Sequence, residues 1–198
     1  GQSCLQKGTT KITFGTGAFV IMNTGNNKIN SKNKLLSTIC YRINNRTTFA
    51  LEGSIFIAGA SVQWLRDKLK IIKSAKITEK ISKKQINNNN VYLVPAFTGL
   101  GAPYWKPNVR GILTGLTRDT GRNEIIRATL ESVAYQTSDL LNAMKKDGLK
   151  SSVIKVDGGM ANNYWFIQFL TNILNIKALK PKIYETTSLG AAVMAGYY

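Results

Sequence analysis

Two glycine-bearing turns hold the residue types in this chain best suited to chemistry. Asp157-Gly158-Gly159 follows the β-branched run Val153-Ile154-Lys155-Val156 and is followed by Met160-Ala161-Asn162-Asn163 and an apolar-periodic segment. Gly15-Thr16-Gly17 lies between two β-rich runs within Lys11 to Thr24. Paired glycines let backbone N–H groups approach a phosphate with no Cβ in the way. A helix start adds unpaired donors and the positive end of its dipole, and a threonine hydroxyl can meet a phosphate oxygen. Nucleotide phosphate binding is the chemistry these turns support. Plain strand-to-helix punctuation and an ordinary tight turn are the other readings the same residues allow.

Composition removes other chemistries. The 198 residues contain no histidine, so the usual general base, the Ser-His-Asp triad and the commonest metal ligand are all missing. Cys4 and Cys40 show no C-x-x-C spacing and read as reduced structural thiols, not as a disulfide framework or a zinc site. No apolar run reaches the length of a membrane span, which makes a soluble, cytoplasmic protein with no membrane partner the expectation. Lys and Arg number 27 against 10 Asp and Glu, a net charge of +17. The lysines at 68, 70, 73, 76, 80, 83 and 84 are scattered among Asn and Ile, with no arginine run or aromatic-interleaved motif. They read as a solvated surface with no specific nucleic-acid partner, although non-specific polyanion binding at low salt is physically open to them.

The length suits one domain or one lobe of a larger protein. The pattern predicts a hairpin around Gly15-Thr16-Gly17, a polar loop over Asn26 to Asn33, and strands over Leu35 to Tyr41 and Thr47 to Leu51 joined at Asn44-Asn45-Arg46. Ile57, Val62, Leu65, Leu69 and Ile72 predict a helix within Gly53 to Ile72, with Gly59 inside it permitting close approach of a neighbour or of a ligand. Glu79 to Asn90 reads as a short surface helix and loop, Val91 to Phe97 as the start of a buried strand, and Thr98 to Trp105 as a rigid loop that is either functional or a cap over the core. Further expectations are a strand within Gly111 to Thr117, a long amphipathic helix from Asn123 to Met144 ended by Asp147-Gly148, the strand before Asp157, and a helix from Tyr164 to Asn175 with a core stripe. Glu185 to Ala192 reads as a polar turn capping a small-residue helix, which is still apolar where the chain stops at Tyr197-Tyr198. That ending, and a start at Gly1 instead of Met, predict a chain cut at both ends.

Four segments carry a family resemblance: Lys11-Ile12-Thr13-Phe14-Gly15-Thr16-Gly17, the run from Ala50 to Asp67, the run from Val94 to Trp105, and Asp157-Gly158-Gly159. A fifth runs from Gly111-Ile112-Leu113-Thr114-Gly115-Leu116 to Glu124 to Glu131. Together they closely resemble the C-terminal half of the FGGY carbohydrate kinases. The Phe97 to Trp105 loop resembles the glycerol-phosphorylating branch, not the pentulose or gluconate branches.

The resemblance implies an α/β fold: an actin-like ATPase, ribonuclease H-like lobe with a mixed β-sheet flanked by helices, spanning residues 1–198 as a single C-terminal lobe. It implies ATP-dependent phosphorylation of glycerol to sn-glycerol 3-phosphate in an intact, homo-oligomeric enzyme. Carried over by position, the nucleotide contacts are Thr16, Gly59, Gln63, Gly159 and Asn163, and Phe19 packs on the carbon face of glycerol. The family's carboxylate base falls upstream of Gly1, and Mg²⁺ is held mainly through the other lobe and the nucleotide, so neither a catalytic residue nor a metal ligand is expected in this chain. A kinase for another polyol or sugar, and a non-enzymatic basic binding module, are the alternative readings.

Overall fold

The computed structural model describes residues 2–182 and 185–196, so the expectation about the chain's ending at Tyr197-Tyr198 lies outside the described residues. The chain builds a six-stranded mixed sheet, and alternation within its strands decides what each face buries. β1 (Thr10–Phe14) and β2 (Ala18–Gly25) form the expected antiparallel hairpin. Ile12, Phe14, Ala18, Val20 and Met22 point into the core, while Lys11, Thr13 and Phe19 take the other face. β3 (Leu36–Ile43) and β4 (Arg46–Ile55) meet at Asn44-Asn45. Both asparagines take positive φ, +48° and +58°, as a two-residue hairpin turn with the right twist demands.

The region after β4 departs from the periodicity. Gly53 to Ile55 complete the strand, and α1 covers only Gly59–Asp67. Gly53 pairs with Val20 across the sheet, and a Cβ on it would meet the Leu140 methyls at 2.7 Å. Close packing of a helix on the sheet therefore selects the glycine, and Ile57, Leu69 and Ile72 lie outside the helix that their spacing predicts. Gly59 is the first residue of α1, not an interior one, so no mid-helix glycine penalty arises.

α2 (Lys76–Lys84) starts earlier than the pattern suggests and turns Thr78 and Ser82 inward, leaving its lysines in solvent. β5 (Tyr92–Val94) and β6 (Ile112–Thr114) form a separate two-stranded ribbon, shorter than the apolar runs that contain them. The loop between them is pinned: Ala102 N donates to Ser54 O at 3.0 Å, and the Trp105 indole donates to Lys34 O at 2.7 Å.

α3 (Arg122–Lys146) crosses the core face of the sheet, burying Ile126, Leu130, Val133, Leu140 and Met144. It stops where expected: Gly148 takes φ +82° and Leu149 N closes back on Met144 O at 3.0 Å. β7 (Val153–Asp157) and β8 (Lys177–Leu179) extend the sheet in parallel beside β1, giving the order β3-β4-β2-β1-β7-β8. α4 (Tyr164–Leu174) buries Phe166 and Leu170 against the α3 side, and α5 (Thr186–Ala195) covers the opposite face beside Lys11, Ile21 and Asn23. Among the described residues no helix is long and apolar enough to cross a membrane.

Leu140 is fully buried beneath β4. Leu140→Ala is expected to lower unfolding free energy by about 2–5 kcal/mol, read from urea denaturation.

Candidate functional site

The ends of β1 and β7 lie side by side, and the turns leaving them face α1 across a cavity of about 250 Å³. Gly15 and Thr16 form one side, Gly59, Val62, Gln63 and Arg66 of α1 the next, and Gly159, Met160 and Asn163 the third. Ala75 and Thr78 at the start of α2 close the remaining side, and Phe14 and Leu130 make the floor. Phe14 is held edge-on by Phe166 at 5.0 Å. All five positions expected to contact a nucleotide, Thr16, Gly59, Gln63, Gly159 and Asn163, therefore line one cavity. Phe19 does not. It stands on the opposite face of the sheet, 51% exposed and level with Thr13 and Ser54.

Backbone contacts set the first side. Gly15 O accepts from Gly59 N at 2.9 Å, and Thr16 O accepts from Ala58 N and Ala60 N at 2.9 and 3.0 Å. A Cβ on Gly59 would lie 2.5 Å from Gly15 O, and one on Gly17 2.5 Å from Ile55 O. Gly59 thus serves the junction of α1 with this turn and Gly17 the passage of the turn beside the end of β4, while the leading N–H donors of α1 are taken up by the turn itself. What faces the cavity is side-chain chemistry: the Thr16 hydroxyl and the Gln63 amide are exposed and make no hydrogen bond among the described residues.

On the other side, Gly158 and Gly159 differ in role. Gly158 has φ +89°, and a Cβ there would lie 2.3 Å from Phe14 O. A Cβ on Gly159 would meet nothing within 4 Å, so folding alone does not require that glycine. The residues after it form a 3₁₀ turn, Gly159–Asn162, instead of entering a helix at once. α4 begins beyond, capped by Asn163, whose Oδ1 accepts from Phe166 N at 3.0 Å and whose Nδ2 donates to Thr78 Oγ at 3.2 Å. The unpaired helix-start donors expected after Asp157 are therefore partly satisfied by Asn163. Its amide keeps one N–H for anything in the cavity.

Asp157 lies behind this turn, 6% exposed. Its Oδ2 accepts from Gln2 at 2.8 Å and Thr186 at 2.5 Å and sits 3.1 Å from Lys11 Nζ. Burial pushes its carboxyl up, but Thr186, Thr13, Gln2 and Lys11 together outweigh that and hold it below the ordinary value. Asp157 is thus a tie between β7, β1, the N-terminal segment and α5, and it does not line the cavity. Arg66, Ala75 and Thr78 do, and were not singled out in the sequence. Arg66 follows Gln63 by three residues on one helical face, a detectable signal. The α2 residues carry none, because tertiary packing alone brings them there.

Among the described residues no aspartate or glutamate lines the cavity, so the donors they provide do not suit Mg²⁺, which seeks carboxylate and water oxygens. Among the described residues no group of three His, Cys, Asp or Glu could hold a metal ion.

Gly158→Ala is expected to cost about 1–3 kcal/mol or more, whereas Gly159→Ala changes stability by less than about 1 kcal/mol; thermal melts of the two variants compare them directly. Because the folded pKa of Asp157 is depressed, its contribution is present above the ordinary carboxylate value of 3.8 and is lost as pH falls through the folded value. The stability advantage of the parent over Asp157→Asn should be flat from neutrality to about pH 5 and shrink below about pH 4, in melts across that range.

Known proteins resemble this chain over nearly its whole length. Residues 10–198 match the model of the C-terminal domain of the FGGY family of carbohydrate kinases. Glycerol kinase of Alteromonas mediterranea is 56% identical over 196 residues, covering 99% of this chain and 40% of that protein. Glycerol kinase 1 of Pseudomonas aeruginosa is 55% identical with the same coverage. The chain thus spans about 40% of the length of the curated relatives it matches. A crystal structure of Plasmodium falciparum glycerol kinase with ADP superposes with a TM-score of 0.93 at 41% identity, covering 98% of this chain and 39% of that one. Gluconate kinase from Lactobacillus acidophilus shares the fold at a TM-score of 0.83 and 21% identity, over 96% of this chain and 38% of that one. The expected actin-like α/β lobe is the fold observed. With a mixed sheet flanked by helices and a family match from Thr10 onward, this chain belongs to the FGGY family of carbohydrate kinases as a C-terminal domain.

Proposed function

We propose that this chain is the nucleotide-binding lobe of a cytoplasmic, ATP-dependent glycerol kinase. The observation that carries the proposal is the convergence of Thr16, Gly59, Gln63, Gly159 and Asn163 on one cavity, with Gly159 a glycine that packing of the described residues does not require. Support comes also from the ADP held by the Plasmodium falciparum relative and from the glycerol kinases that match over the whole chain. Two free, half-buried cysteines suit a reducing compartment.

In this reading the Thr16 hydroxyl donates to a phosphate oxygen, and the open space over Gly159 lets a phosphate rest against backbone. Gln63 and the remaining N–H of Asn163 bind the nucleoside part, against the apolar wall of Val62 and Met160. The cavity of about 250 Å³ falls below the ~300–1,000 Å³ of complete ligand pockets, as expected of one wall of a cleft. Phosphoryl transfer relies on positioning and charge stabilisation from both sides of the transferred group. Among the described residues no carboxylate lines this cavity to take the acceptor's proton, and the chain has no histidine. The family resemblance, and not the cavity's lining, implies that the base, the Mg²⁺ ligands and most glycerol contacts belong to the part of the longer kinases that this chain does not span. Phe19 would meet glycerol from the exposed face of β2.

Calorimetry on the chain should detect ADP binding that Thr16→Val and Gly159→Val abolish while the fold is kept. A folded chain that gives no heat with ADP would sink the proposal. With ATP and glycerol the chain alone should show no measurable turnover.

A further inference from the structure

A buried ion pair outside the cavity is connected to two of its walls. Three α3 side chains converge on the segment that follows α2. Arg127 Nε lies 2.6 Å from Glu131 Oε1, the side chains being 11% and 3% exposed. Arg127 Nη1 donates to Gln85 O, Glu131 Oε2 accepts from Asn88 Nδ2 at 2.8 Å, and Glu124 accepts from Gln85 and Asn89. The other face of the same guanidinium lies 5.0 Å over the ring of Trp165, in the first turn of α4, and Trp165 stacks on Phe169.

Desolvation offsets most of what a buried ion pair contributes, so stability alone does not account for this arrangement. Its connections do. α2 provides Ala75 and Thr78 to the cavity, and α4 opens at Asn163. The two helices touch through the Asn163 to Thr78 bond and through Tyr164 N donating to Glu79 at 3.3 Å. Arg127 grips the trailing end of α2 with one edge and the start of α4 with its face. It does not itself line the cavity; Leu130, one turn later, does.

We infer that Arg127 is a positioning residue of the nucleotide site, holding α2 against α4 so that Ala75, Thr78 and Asn163 form a standing wall. The inference rests on the proposed nucleotide reading of the cavity. Lysine does not replace arginine here, because a point charge can keep Glu131 but cannot also reach Gln85 O and lie flat on the indole.

The test compares Arg127→Met, Arg127→Lys and the double variant R127M/E131Q by ADP calorimetry, thermal melts and amide hydrogen exchange. If the wall stands in place about a tenth of the time in Arg127→Met, its apparent Kd for ADP rises about tenfold, with Arg127→Lys intermediate. The double variant removes the orphaned carboxylate and should recover melting temperature but not ADP affinity, a split that a merely structural role would not produce. An Arg127→Met Kd within about twofold of the parent, or affinity restored together with stability in the double variant, overturns the inference. If the parent binds no ADP, the nucleotide reading fails and exchange decides the positioning role. Amides 76–84 should exchange faster in Arg127→Met while strands 10–14 and 153–157 keep their protection, and unchanged exchange at 76–84 overturns it. Should the Met variant fail to fold, Arg127→Lys carries the same measurements.

Discussion

The candidate site depends on backbone meeting backbone at three glycines. Gly59 lets the start of α1 sit on Gly15 O, Gly17 lets the turn pass under Ile55 O, and Gly158 brings the exit of β7 against Phe14 O. At each point a Cβ would lie within about 2.5 Å of a carbonyl oxygen, closer than packed atoms come. Because these contacts involve main chain, they fix the relative heights of β1, β7 and α1 without depending on side-chain rotamers. The cavity is the space left between elements held in that way. Its shape follows from the fold, and its chemistry comes from the few side chains that project into it.

Seen from that junction, the paired glycines of Asp157-Gly158-Gly159 divide the work. Gly158 serves the backbone, through a left-handed conformation and a contact that admits no side chain. Gly159 serves the cavity, since none of the described residues occupies the place its side chain would fill. Asp157, although it has the most reactive side chain of the three, faces away, tying α5 and the N-terminal segment to the sheet. The same separation of duties appears at Asn163, which caps α4 and bonds to α2 while leaving one donor toward the cavity. Residues that shape this site are thus also residues that terminate its secondary structure, and substitution at most of them acts on both stability and binding.

The basic surface has a separate physical origin. The lysines of the α1 to α2 region are exposed and are not among the residues lining the cavity, where Arg66 is the one cation among the described residues. A high net charge keeps such a chain soluble and draws anions to it without specificity. In the proposed nucleotide reading, selectivity for phosphate would come instead from the hydroxyl, amides and glycine space that the sheet ends bring together.

Much of this was determined by the sequence by itself. The hairpin turns at Gly15-Thr16-Gly17 and Asn44-Asn45, the length and stop of α3, and the strand before Asp157 are local matters of φ preference and periodicity. The five cavity positions could be named from family-like segments because their spacing is tied to those local elements. What only the tertiary structure decided was of longer range. The end of β4 falls inside the Gly53 to Ile72 range that the spacing of Ile57, Val62, Leu65, Leu69 and Ile72 predicts as helical, and only packing against Leu140 shows why a strand continues there. The different roles of Gly158 and Gly159 depend on whether Phe14 lies nearby, which neighbours in sequence do not reveal. Ala75, Thr78 and the Arg127 bridge belong to the site only because α2, α3 and α4 meet, and side chains that meet through packing leave no periodic trace along the chain.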